Sequence, residues 1–86
     1  MPYMLVRHKV EDFAKWKKVL DSQTENHIKA GMTIKHVWRN DADPNDIFFL
    51  FHLRSMEEAQ DYLNTPQPGV AEEAGVVGVP EIYFLK

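Results

Sequence analysis

Between Ile47 and Leu53 the chain reads Ile-Phe-Phe-Leu-Phe-His-Leu, bounded by turn formers before it and a helix start after it. Alternation along a strand puts Ile47, Phe49, Phe51 and Leu53 on one face and Phe48, Leu50 and His52 on the other. A sheet with one wet face would show a polar residue at every second place. Neither face does so here, and this segment is read as a strand covered on both sides.

Weaker patterns surround it. Tyr3–Val10 is a strand, with Met4, Val6, His8 and Val10 on its more apolar face and Tyr3, Leu5, Arg7 and Lys9 opposite. Glu11 and Asp12 supply an N-cap and negative charge for a helix expected to run to about Ala30. Phe13, Trp16, Val19 and Leu20 form its buried stripe, while Lys15, Lys17 and Lys18 lie outside. Beyond Leu20 the stripe continues onto Gln23, Thr24, His27 and Ile28, so that end is either exposed or lines something polar. Gly31 is the expected left-handed cap.

Thr33–Asn40 is the second strand, with Ile34, His36 and Trp38 expected on one face and Thr33, Lys35, Val37 and Arg39 on the other. Residues Asp41–Asp46 are dense in turn formers and join it to the central strand as a hairpin. Loop length leaves the register open: in one parity His36 and His52 share a face as cross-strand neighbours, in the other they do not. Ser55 with Glu58 fits a capping box for a second helix running to about Asn64. Met56, Ala59 and Leu63 are expected inward on it, with Tyr62 at the edge. Thr65-Pro66 stops that helix, Pro66, Pro68 and Gly69 make a break, and Val70–Ala74 adds one helical turn. The last strand is expected over Glu81–Leu85, with Pro80 at its start.

The order is therefore βαββαβ. Right-handed interleaved crossovers give a ferredoxin-like α+β fold whose four-stranded antiparallel sheet has the order 4-1-3-2, with both helices on one face. The whole chain, residues 1–86, is one domain. The other sheet face is bare, and each large apolar side chain left wet forfeits roughly 1.5–3 kcal/mol. Against a total stability of about 5–15 kcal/mol that is a heavy loss, so a second copy is expected against the open face in a homodimer.

Composition narrows the chemistry. There is no cysteine, which excludes disulfides, thiolate metal sites and a cysteine nucleophile. The net charge is −3 without a basic block, which argues against nucleic acid or a membrane surface as partner. Met1–Val6 is too short an apolar run for a signal-peptide core, and a soluble cytoplasmic protein is expected. The glycines of 75–78 lack the context of a phosphate loop, and Ser55 is accounted for by capping.

Four histidines, His8, His27, His36 and His52, lie on separate elements without metal-ligand spacing, so no metal is expected. His8 and His52 are candidates for a general base or orienting donor, or else core-edge residues with one backbone partner; His8 is the first choice, since it shares a face with Val6 and Val10 beneath the first helix. Trp16, His36 and Tyr62 are candidates for substrate binding. The aromatics, Trp38 and Tyr83 included, equally suit core or dimer interface. Arg7 and Arg39 are candidates to hold a substrate anion or to bridge across a dimer.

The stretches Val10-Glu11-Asp12-Phe13 through Trp16, Arg39 through Asp46, and Gly75-Val76-Val77-Gly78 through Phe84 resemble those of the dimeric α+β barrel superfamily. The likeness is to small bacterial relatives of antibiotic biosynthesis monooxygenases. It implies paired sheets in a shared barrel and a cofactor-independent oxygenase, cyclase or isomerase acting on a small aromatic or polyketide-like substrate. The alternative it leaves is a non-catalytic small-ligand-binding or interaction module on the same fold. The haem-degrading branch relies on an Asn, Trp and His combination. Here the first strand has no Asn and the second helix no His, so that role does not transfer. No flavin or nicotinamide signature is present, and no cofactor is expected.

Overall fold

The computed structural model describes residues 2–65 and 69–86. Four strands, β1 (Tyr3–Val10), β2 (Met32–Arg39), β3 (Asp46–Leu53) and β4 (Val76–Leu85), form one antiparallel sheet in the order β2-β3-β1-β4. That is the expected order read from the other edge. The helices are α1 (Phe13–Ser22), α2 (Thr24–Lys29), α3 (Met56–Asn64) and α4 (Val70–Ala74).

The central strand β3 behaves as its sequence requires. Ile47, Phe49, Phe51 and Leu53 are buried under the helices with Met4, Val6 and Val10 of β1, Met32 of β2, Trp16 of α1 and Ala59 of α3. Phe48, Leu50 and His52 point to the open face and stay half-buried. Tyr3 and Leu5 lie beside them, with Trp38, Tyr83 and Leu85 exposed by 46%, 49% and 43%. On β4 even the helix-side residues Ile82 and Phe84 are exposed, because the helix layer stops short of that edge strand.

Local signals set the element ends. Asp12 caps α1 by accepting from the amides of Ala14 and Lys15 at 2.9 and 3.4 Å. Ser55 caps α3 through the Glu58 amide at 3.1 Å, and its hydroxyl donates to the Glu58 carboxylate, which also holds Arg54. Gly31 follows α2 at φ 74°, where a Cβ would stand 3.0 Å from that of Arg54. Arg7 and the buried Asp46 form a two-pronged pair at 3.1 and 2.9 Å, and Asn40 donates to the same carboxylate at 3.0 Å. The hairpin between β2 and β3 is thereby pinned to β1.

Four expectations need correction. The first helix does not run unbroken to Ala30. It divides at Gln23, whose amide is shared between the Val19 and Leu20 carbonyls, a tightening that ends α1 before α2 begins. Leu63 is not part of the packed core but 40% exposed, bordering the open space beneath the helices. The second strand does not alternate evenly. Ile34 pairs with Phe51 but His36 pairs with Leu50, so a bulge at Lys35 moves His36 and Trp38 to the open face and Val37 to the helix side. The last strand starts at Val76, not Glu81, and Pro80 lies within it. Arg7 pairs with Glu81 while Lys9 pairs with Val77, leaving residues 78–80 looped out opposite His8. Gly78, at φ 77°, makes that bulge, and an edge strand tolerates the proline. The break read at Pro66 and Pro68 lies outside the described residues.

Candidate functional site

The helices do not seal against the sheet. Between them lies a cavity of about 400 Å³, a volume suited to a small organic ligand. Met4, Val6 and His8 of β1 with Phe49 and Phe51 of β3 make its floor. Trp16 and Leu20 of α1, Gln23, and His27 of α2 form one wall, Tyr62 of α3 another. Ala74, Val76 and the Gly78–Pro80 bulge border the remaining side of a space that is open to solvent, not enclosed.

His8 reaches this cavity because it shares the helix-facing parity of Met4, Val6 and Val10. Trp16 reaches it one turn past the Asp12 cap. The Trp16 ring meets the imidazole edge-on, centroids 5.6 Å apart and planes at 88°. Phe49 packs on His8 from the sheet at 5.3 Å. The result is a polar ring in an apolar box. His8 Nε2 is the one buried side-chain polar atom without a hydrogen-bond partner among the described residues. Such a group costs about 1–3 kcal/mol when left unmade.

Burial pushes the titration of both His8 and His27 below the ordinary histidine value, so both are neutral at physiological pH. Folding of this chain then depends on pH in a definite direction. An unfolded chain takes up protons on these residues below about 6.5, while the folded one resists until the lowered values are reached. The folded state binds fewer protons in that window, so stability rises with pH there. Chemical denaturation at pH 5.5 and 7.5 should show the lower midpoint at the acid pH; a flat or reversed dependence would contradict the burial of these rings.

Tyr62 lines the same cavity and its hydroxyl is pushed above its usual value by burial, so it remains protonated. The structure thus gathers His8, Trp16 and Tyr62. His52 and His36 lie elsewhere, on the open face. His52 packs edge-on against Tyr3 at 5.4 Å, and His36 stacks on Trp38 at 5.0 Å. They share that face because the Lys35 bulge reverses the parity of β2; Thr33, not His36, stands opposite His52. Arg7 is engaged with Asp46 and Glu81, and Arg39 lies over the Phe13 ring at 4.3 Å and donates to the Pro44 carbonyl. His27 was not among the candidates, although the stripe extended through Gln23 and His27 carried the signal. No cluster of three metal-ligating side chains occurs among the described residues.

No protein-family model matches the sequence, and no curated protein matches it. Solved structures do match it. An antibiotic biosynthesis monooxygenase-like protein from Nitrosomonas europaea superposes with a TM-score of 0.71 at 12% identity, over 100% of this chain and 97% of its own. One from Bordetella bronchiseptica gives 0.76 at 8% identity, over 99% and 94%. SnoaB, a cofactor-independent oxygenase from Streptomyces nogalater, gives 0.70 at 14% identity, over 99% and 90%. The chain has the ferredoxin-like α+β fold of these proteins.

Proposed function

We propose that the protein is a homodimeric, cofactor-independent oxygenase that binds a flat aromatic or polyketide-like substrate in the cavity beneath its helices. The observation that carries this reading is the imidazole of His8, neutral and unsatisfied, in the floor of a cavity otherwise walled mainly by apolar side chains. The resemblance in fold to SnoaB supports the class of chemistry. The apolar open face, with Leu5, Phe48 and Leu50 at its centre, supports the dimer.

A substrate with a methylene between a carbonyl-activated ring and a second ring has an acidic C–H. A neutral imidazole can take that proton. The resulting delocalised anion gives electrons to molecular oxygen. The methylene becomes a carbonyl holding one oxygen atom, and the second leaves as water with both substrate hydrogens. The substrate is the reductant, and no other is consumed. Trp16 and Tyr62 hold the ring system flat and keep water from the anion.

Oxygen uptake by the purified protein with 1,8-dihydroxyanthrone, corrected for autoxidation, tests the reading. Saturable uptake with one oxygen consumed per carbonyl formed is expected. Tight binding of this compound without uptake would instead favour the non-catalytic ligand-binding module.

A further inference from the structure

The cavity has a second polar end. From His8 the floor runs through Phe49 and Phe51 to His27, with successive ring centroids 5.3, 5.5 and 5.1 Å apart. Phe49 and Phe51 are two residues apart on one face of β3, so these two rings follow one another along the strand between the two histidines. At its far end the His27 ring stands edge-on to both Phe51 and Tyr62, at 72° and 73°. The neighbouring Gln23 already accepts from the Asn26 side-chain amide at 2.9 Å. Glu72 also borders the cavity but is itself exposed. His27 is half-buried, and nothing in the reaction described above uses it.

We propose that His27 is a second recognition residue, selecting fused-ring aromatics that carry a hydroxyl or carbonyl oxygen at both ends over those that carry one. The inference rests on the cavity being the ligand site. One oxygen meets His8, the ring system lies over Phe49 and Phe51, and the distal oxygen meets His27. A ligand lacking that oxygen leaves His27 unsatisfied under apolar cover, and the discrimination comes from that omission. His27 touches the end of the ligand remote from the reacting methylene, so it acts on affinity.

The test is binding of 2,6-dihydroxyanthraquinone and 2-hydroxyanthraquinone, followed by quenching of tryptophan fluorescence, since Trp16 walls the cavity. His27→Leu should weaken the two-ended probe by about tenfold, the scale of one hydrogen bond, and change the one-ended probe by less than about threefold. His27→Gln, which keeps a donor and an acceptor, should restore most of the loss, and Tyr62→Phe should leave the ratio of the two affinities unchanged. Should His27→Leu fail to fold, His27→Ala is judged by the same ratio. Equal losses for both probes, or none for either, would overturn the role of His27 while leaving the cavity a ligand site. Failure of the native protein to bind either probe would overturn both.

Discussion

Leu50→Asp should turn a dimer into a monomer. Light scattering at micromolar concentration is expected to give twice the 10.0 kDa chain mass for the native protein and the single mass for the variant. Leu50 lies at the middle of the open face, paired across β3 with Leu5 on one side and His36 on the other. In a two-fold interface the substitution occurs twice. Each copy forfeits roughly 1.5–3 kcal/mol of apolar burial, before the cost of desolvating a carboxylate. The dimer dissociation constant should therefore rise by at least about a hundredfold. In the isolated chain Leu50 is only half-buried, and the core under the helices does not include it, so the variant should keep its circular dichroism spectrum. Lys18→Asp, on the exposed side of α1, is the control and should stay dimeric. A native mass near that of one chain would remove the homodimer.

His8→Leu should stabilise the protein while disabling it. Leucine has a comparable volume and no polar atom, so the orphaned nitrogen between Trp16 and Phe49 disappears. A gain of about 1–3 kcal/mol is expected from that removal, less whatever edge-on aromatic contact is lost. For a domain of this size each 1 kcal/mol moves the thermal midpoint by roughly 4–8 °C. Oxygen uptake should fall by about 10²–10⁴-fold, the ordinary worth of a general base. The rise of stability from pH 5.5 to 7.5 should also become shallower, leaving His27 as the remaining histidine with a depressed titration. Such opposed effects mark a group kept for chemistry, not for packing. A destabilised variant with unchanged turnover would make His8 a plain core residue.

The fold was legible because β3 declares itself. Seven residues without a wet side can only be central, and right-handed crossovers then leave one arrangement of the other strands. Ser55 and Gly31 marked element ends through side-chain and backbone chemistry that acts within a few residues. The two bulges were not legible. Lys35 differs in no way from an ordinary strand residue, yet the extra position it introduces reverses the faces of His36 and Trp38. Gly78 and Pro80 were visible as punctuation, which suggested a strand beginning after them, when they form a bulge inside a longer one. The break at Gln23 has no glycine or proline to announce it.

The candidate site was legible in part for the same reason. Face parity placed His8 with Val6 and Val10, and helical spacing placed Trp16 above it, since both depend on short-range periodicity. His52 went to the opposite face, because β3 is apolar on both sides and its sequence cannot say which one the helices cover. His27 lay on the polar extension of the α1 stripe. That extension predicted a polar lining or exposure, and only the packing of α2 over Phe51 and Tyr62 distinguishes the two.

The most direct measurement is a crystal structure of the native protein with 2,6-dihydroxyanthraquinone bound. The expected result is the ring system over Phe49 and Phe51 with one oxygen about 2.6–3.2 Å from a ring nitrogen of His8. A cavity closed by side chains, with the compound elsewhere on the surface or absent, would contradict the assignment of this space as a ligand site.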